Sequence, residues 1–457
     1  MELENEKYFK DAPVWKSIFV MAVPSVMIIL VMILYNLADM FFIAMLNDTA
    51  QVAAVSLVGP LFSVMAAVAT MVGNGGCTAI AGAIGGGNVR QARVYASVSI
   101  WFTIICGLIC TLVFLPLENP MLKFLGTTPE AWEPAKAYYR VLVIGFAFML
   151  LANTLAMLVR AEGAIKESLL GNVLGTVIAC VINIVLDPIF ILVLGMGAGG
   201  AALATVIGNG AVTVYLLLFI KRKAKVMCLD PRLARHGGKE LGKVLAIGLP
   251  NGVGSILSGF ASTFSNQLLA GYGTGAIAAM AAAGRGTMIV DYLVMAVCMG
   301  CQSIIAYSYG ARNMERLREI MRKLLILVAG LGFAVLALCL IFREGLICLF
   351  LKEEAAGLVG QQMLCILMLS APLIGVGYLI TSYFQARNCP VKALVISVLR
   401  QGALLIPCLY LLNCFWKLWG VVWANTAACI LAALIAVGFY LVQKKIDGKK
   451  EIFYRNA

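Results

Sequence analysis

Long apolar runs, separated by short polar connectors, make up most of the chain. A helix needs roughly 20 apolar residues to cross the hydrocarbon core of a bilayer. Twelve runs reach that length, at 15–46, 51–84, 90–115, 134–159, 168–194, 198–220, 241–271, 276–309, 317–342, 357–384, 391–413 and 418–442. Several are longer than the minimum, which predicts tilted or kinked helices. The pattern therefore predicts an all-α polytopic membrane protein with twelve transmembrane helices.

Charged residues are scarce and unevenly placed. Of 457 residues, 62% are hydrophobic and 12% are charged, and the net charge is +13. Lys and Arg concentrate in alternate connectors, most densely at 221–243, as the positive-inside rule predicts for cytoplasmic loops. This distribution indicates a membrane protein with both termini in the cytoplasm and no nucleic-acid partner, and we expect it in the plasma membrane of a bacterium. Anionic headgroups of membrane lipids are the only polyanions that we expect the 221–243 cluster to meet.

An internal repeat divides the chain into two similar halves. The segment IFVMAVPSVMIIL around Pro24 matches VLAIGLPNGVGSIL around Pro250, a shift of 226, and Lys166 and Lys392 are again 226 apart in similar surroundings. Each half contains six spans and begins on the same side of the membrane, which indicates parallel repeats. The predicted organisation is an N-lobe at 1–221, a basic cytoplasmic linker at 222–240 and a C-lobe at 241–457.

The fifth span carries polar residues in the middle of an apolar run. Asn183 and Asp187 are four residues apart, so they share one helix face. A carboxylate facing hydrocarbon costs roughly 2.5–3.5 kcal/mol on insertion scales, so Asp187 should face protein or a water-filled cavity. Pro188 follows directly and removes a backbone donor, which allows the helix to bend beside the acid. We predict hinges at Pro24, Pro188 and Pro250.

Three further polar residues are predicted to lie close to this pair. Asp39, with Asn36 on the same helix face, reaches the outer half of the membrane in the first span, and Thr205 reaches a similar depth in the sixth. The set Asp39, Asn183, Asp187 and Thr205 therefore predicts an oxygen-rich pocket for H⁺ or Na⁺, because hard oxygen ligands do not favour soft transition metals. No other cofactor is expected.

The second half has a different set of buried charges. At a shift of 226, Asp39 maps to Ser265 and Asp187 to Asn413, neither of which ionises, so ion coupling is predicted for the first half alone. Asp291 has no counterpart in the first half, and Arg285 or Arg400 could neutralise it. Structural pairing and contact with substrate are equally open for Asp291.

Several motifs resemble the multidrug and toxic compound extrusion (MATE) family. They are AVPSV in the first span, VRAEG after the fourth, N-X-X-X-D-P in the fifth, GGAALAT in the sixth, FQARNCPVK after the tenth, and LRQGALLIPCLY in the eleventh. The resemblance covers nearly the whole chain.

The resemblance implies a two-lobed secondary antiporter, not an enzyme, that exports small organic cations against H⁺ or Na⁺ by rocking. We expect a monomer. It also implies that Asp39, Asn183, Asp187 and Thr205 form a first-lobe cation site. Some family members carry Glu in the seventh span, where SILSGFASTFSNQLL has none, which argues against a second-lobe sodium site.

Other classes of protein fit the sequence less well than an exporter. A flippase for lipid-linked sugars or cell-wall precursors would share the architecture but would need cations in its cavity, where only Arg285 and Arg400 are available. An intramembrane enzyme would need a GxGD or HExxH motif, and the chain has neither. Two six-span repeats with one asymmetric acid site fit a carrier better than a channel.

Overall fold

A computed structural model describes residues 12–46, 48–125, 127, 129–162, 167–224, 226–235, 237–350 and 354–456. Within the helices, the side chains of 32–41 and of several shorter stretches lie outside this description. The regular secondary structure of the described residues is entirely helical, which confirms the predicted fold class.

The helices follow one another with short connections. In chain order they are α1 Val14–Ala44, α2 Thr49–Gly85, α3 Val89–Phe114, α4 Glu118–Phe124, α5 Trp132–Val159, α6 Glu167–Pro188, α7 Gly197–Lys223, α8 Pro231–Arg235, α9 Gly238–Ala270, α10 Thr274–Gly310, α11 Met314–Ile341, α12 Arg343–Phe350, α13 Glu354–Met368, α14 Ala371–Ala386, α15 Pro390–Val398 and α16 Leu405–Asn456. A 3₁₀ turn covers Arg160–Glu162, and π-helical segments cover Ile189–Val193 and Leu399–Ala403.

The number of possible membrane crossings agrees with the twelve spans predicted from the sequence when two features are included: the bent pair α13 and α14, and the break at Lys417. Ten of the described helices are long and apolar enough to span a bilayer, and α13 with α14, bent by 43°, makes an eleventh. The last of the ten is the stretch formed by α15, the π-helical segment Leu399–Ala403 and α16 as far as residue 447. It covers 390–447, about 87 Å of helix at ~1.5 Å per residue, which is enough for two crossings. Its backbone leaves the helical conformation at Lys417 (φ 48°, ψ −127°). A Cβ on Gly420 would lie 1.9 Å from the carbonyl oxygen of Leu412, so the chain turns back there. Division at this turn gives the twelve predicted spans.

Two connectors show the internal repeat in three dimensions. After α2, Gly87 has a φ of +74° and the Asn88 amide donates to the carbonyl of Ala83 over 2.9 Å. After α10, Arg312 has a φ of +56° and the Asn313 amide donates to Ser308 over 3.0 Å. The two turns are 225 residues apart and have the same hydrogen-bond pattern. The segment GAIGGGNVR (82–90) therefore ends α2 in a tight turn. The Asn88 side chain caps α3 by accepting a hydrogen bond from the Gln91 amide.

The described chain forms two compact units. The first contains residues 1–252 and 306–313, and the second contains 253–305 and 314–457. Part of the basic segment packs on α3: Ser97 Oγ donates to the Asp230 carbonyl over 2.6 Å, and Trp101 Nε1 donates to the Leu229 carbonyl over 3.0 Å. The assignment of this segment as a linker between lobes stays a prediction.

Four glycines in the first unit, which we call the glycine seam, allow backbones to touch. They are Gly75 and Gly85 on α2, Gly248 near the start of α9 and Gly310 at the end of α10. A Cβ on Gly75 would lie 2.0 Å from the Val244 oxygen, and one on Gly248 would lie 1.7 Å from the Met71 oxygen. A Cβ on Gly85 would lie 2.2 Å from the Tyr307 oxygen, and one on Gly310 would lie 2.1 Å from the Gly82 oxygen. Any side chain at these positions would force the helices apart.

The predicted orientation can be tested with two exposed positions. Lys239, at the start of α9, is predicted to be cytoplasmic, and Glu130, just before α5, is predicted to be external. In a cysteine-depleted background, a membrane-impermeant maleimide should label Glu130→Cys in intact cells and Lys239→Cys only after permeabilisation. Labelling of both from outside would contradict the assigned topology.

Candidate functional site

The predicted polar face of the fifth span is buried where α6 packs on α7. Asn183 is 2% exposed, Asp187 is 0% exposed and Thr205 is 7% exposed. Asn183 Nδ2 donates to Thr205 Oγ1 over 3.3 Å. The two helices approach closely here because Gly208 has no side chain; its Cβ would lie 3.2 Å from the Ala179 carbonyl oxygen. The structure thus brings Asn183 and Thr205 together as predicted, with Asp187 one turn further along the same face of α6.

Among the described residues, the Asn183 amide has one strong acceptor that no hydrogen bond uses. Its Oδ1 atom is buried and has no hydrogen-bond partner among the described residues. A buried carbonyl oxygen without a partner costs free energy, so such an atom calls for an explanation. A cation or protonated group placed beside Oδ1, Thr205 Oγ1 and the Asp187 carboxylate would satisfy it. The amide, hydroxyl and carboxylate oxygens of this set are hard ligands, which suit H⁺ or Na⁺ better than soft transition metals.

The helix changes form directly after the acid. Pro188 is the last residue of α6, and Ile189–Val193 is π-helical, with the Leu194 amide donating to the Ile189 carbonyl over 2.8 Å. Pro188 has no N–H to donate to the preceding turn, and π segments occur often at functional sites. This irregular geometry is where a hinge was predicted. Pro24 and Pro250 lie inside α1 and α9, and movement at all three prolines stays a prediction.

The remaining members of the predicted pocket cannot be placed at the level of side chains. Asp39 and Asn36 lie on α1, which packs against α6, but their side chains are outside the described residues. Their membership in the pocket stays a prediction.

In the second unit, the two predicted cations have different surroundings. Arg285 is exposed, and Arg400 is half-buried. Arg400 lies in the π-helical segment Leu399–Ala403, with its guanidinium carbon 3.8 Å from the centroid of the Tyr378 ring. This cation–π contact stabilises a guanidinium that is partly removed from water. Which of the two cations neutralises Asp291 stays a prediction. Whether Asp291 contacts substrate is untested.

A family model described as MatE matches the chain twice, over residues 24–189 and 250–411. The segments start 226 residues apart, the shift found from the sequence, but they end 222 apart. Asn413 is half-buried and accepts a hydrogen bond from Tyr272 Oη over 2.6 Å, so its surroundings differ from those of Asp187. The correspondence of Asn413 with Asp187 in the repeat stays a prediction.

Known proteins resemble the chain along nearly its whole length. It is 30% identical over 452 residues to the multidrug export protein MepA of Staphylococcus aureus, with 98% of each chain covered. It is also 30% identical to MepA of Staphylococcus saprophyticus, with 98% of this chain and 99% of that one covered.

Two solved structures show the same fold. A crystal structure of MATE in complex with MaD3S matches with a TM-score of 0.90 at 26% identity, covering 99% of this chain and 100% of that one. A MOP superfamily transporter from Pyrococcus furiosus, described as having a binding pocket of reverse polarity, matches with a TM-score of 0.89 at 26% identity and covers 98% and 99%. The family match extends over most of the chain and agrees with its helical fold, its repeat and its relatives; the chain belongs to the MatE family of multi-pass membrane transporters.

Proposed function

We propose that the protein exports small organic cations from the cell in exchange for H⁺ or Na⁺, and that the ion binds in the first unit at Asn183, Asp187 and Thr205. The buried Asn183 Oδ1 without a partner among the described residues is the observation that supports the ion site. The names of the relatives, which are multidrug export proteins, support the direction and the substrate class.

The site suggests how ion binding affects the helix. A proton on Asp187, or Na⁺ held by its carboxylate with Asn183 Oδ1 and Thr205 Oγ1, removes the negative charge from the face shared by α6 and α7. The contacts that hold α6 then change beside Pro188, where the π-helical segment already departs from regular geometry. Repacking there would alter the wall of the substrate cavity during a rocking cycle. We place Asp39 in the same ion site on the basis of the sequence.

The flippase alternative is less well supported. A lipid-linked pyrophosphate needs cations that face its cavity. Arg400 is half-buried and stacked on Tyr378, which leaves Arg285 as the exposed one of the two intramembrane cations expected to serve a flippase. A single exposed guanidinium is a weak site for a group with two or more negative charges.

Transport by the purified protein tests the proposal. In proteoliposomes, a fluorescent amphipathic cation should move against its gradient when a proton gradient or a sodium gradient is imposed, and the ionophore for that ion should stop the movement. Imposing the two gradients separately identifies the coupling ion. If neither gradient moves any of several cations, while a lipid-linked pyrophosphate is translocated, the flippase is the correct function.

A further inference from the structure

The ends of α11, α14 and α16 enclose a small cavity in the second unit, far along the chain from the proposed ion site. Its volume is about 30 Å³, and its polar lining consists of Arg318, Tyr383, Arg387, Tyr440, Lys444 and Asp447. Since one water needs roughly 10–15 Å³ on this measure, the cavity has room for about two waters or one group of similar size. No pattern in the sequence predicts this cluster.

Three cations and one carboxylate line the cavity, and the carboxylate is engaged by one of the cations. Arg387 Nη2 donates to Asp447 Oδ1 over 2.9 Å and Nη1 donates to Asp447 Oδ2. Gln443 Nε2 also donates to Asp447 Oδ1, over 3.1 Å. In this bidentate pair the negative charge of Asp447 is held against the Arg387 guanidinium. Arg318 from α11 and Lys444 from α16 add two positive charges to the same cavity.

The Arg387 guanidinium is also positioned by the neighbouring tyrosines. Its Nη1 donates to Tyr383 Oη over 2.6 Å, and the ring of Tyr440 lies 5.1 Å from that of Tyr383 at an angle of 75°. Burial acts to lower the pKa of Arg387, but hydrogen bonds with Asp447 and Tyr383 outweigh it and raise the pKa above the ordinary value. Arg387 is therefore a permanent cation held in one place.

The start of α11 contributes a second source of positive potential. Met314, its first residue, lines the cavity, so the positive end of the α11 dipole lies near it. Glu315 in the same turn is exposed and is not part of the lining. A helix N-terminus combined with guanidinium, ammonium and phenol groups is an arrangement suited to a phosphate group.

We propose that this cavity binds a phosphate group, supplied either by the headgroup of an anionic membrane lipid or by free phosphate in the cytoplasm. The headgroup source agrees with the predicted topology, which places this end of α16 at the cytoplasmic membrane surface, where basic residues meet anionic lipids.

Thermal stability of the purified, detergent-solubilised protein measures this binding. Phosphatidylglycerol should raise the melting temperature, and phosphatidylcholine at the same concentration should not. The double variant Arg318→Gln with Lys444→Gln should weaken the effect about tenfold or more in lipid concentration, since each cation near an anionic surface contributes appreciably. The matched control is Arg322→Gln with Lys445→Gln, which removes the same charge from exposed positions on the same helices that do not line the cavity.

The outcomes separate the two sources. If inorganic phosphate does not reverse the stabilisation by phosphatidylglycerol, the cavity is a lipid site. If millimolar phosphate competes with phosphatidylglycerol, the cavity is open to free phosphate. In both cases the control variant should respond like the wild type. Equal loss in the two double variants, or stabilisation by neither phosphatidylglycerol nor inorganic phosphate, would overturn the proposal. All four positions are exposed, so the variants should fold.

Discussion

Replacement of Asp187 by Asn is expected to abolish gradient-driven export and to leave the folded protein in the membrane. Asn has nearly the shape of Asp, so packing between α6 and α7 should be retained. It cannot take up a proton or offer a negative charge to Na⁺, and because Asp187 is 0% exposed, bulk water cannot substitute for the lost carboxylate. Uptake of the fluorescent cation into energised proteoliposomes should therefore fall to the level of protein-free vesicles. The same result is predicted for Asp39→Asn.

Ser265→Ala is the matched control for this experiment. Ser265 is the repeat position of Asp39 and is buried, with 8% of its surface exposed, so its substitution tests whether any change at a buried polar position stops transport. It should transport at nearly the wild-type rate. Wild-type transport by both Asp→Asn variants would rule out coupling in the first unit, and Asp291 would then be the acid to test.

Replacement of Gly248 by Ala is expected to have the largest effect on stability. The new Cβ would lie 1.7 Å from the Met71 carbonyl oxygen, so α9 must move away from α2 by more than an ångström. Overpacking of this kind costs about 1–3 kcal/mol or more, and backbone atoms relax less easily than side chains. The purified variant should melt several degrees lower and give less monodisperse protein in size-exclusion chromatography.

The control is in the same helix. Gly242 has no atom within 4 Å of the position that a Cβ would take. Because Ala favours a helix over Gly by about 1 kcal/mol, Gly242→Ala should be neutral or stabilising. If both alanine variants melted at the same temperature, the close contact in the glycine seam would not exist in solution.

Features that depend on local sequence were predicted well. The helical spans follow from runs of apolar residues, and the contact of Asn183 with Thr205 follows from the packing of adjacent spans. The break at Lys417 was also foreseen, as the short connector between the last two spans. In each case the residues concerned lie close together in the chain, so periodicity and connector length define their positions.

Features that depend on distant pairing were not predicted. The hydrogen bonds between Arg387 and Asp447 join residues 60 positions apart, and no pattern in either segment indicates the other. Arg285 and Arg400 were equally plausible partners for Asp291, because helix periodicity does not determine which face of a distant helix approaches the acid.

The unused acceptor on Asn183 also has a consequence for evolution in the laboratory. A buried polar atom without a partner typically costs about 1–3 kcal/mol, so replacing Asn183 and its bonded neighbour together, as in Asn183→Leu with Thr205→Val, would give a more heat-resistant protein. Selection for thermostability alone, as is done to obtain crystals, would therefore favour substitutions here and yield inactive transporters. Selection for drug resistance would favour Asn. Position 183 is thus a place where stability and activity are in conflict, and its response to the two selections distinguishes a working site from a packing feature.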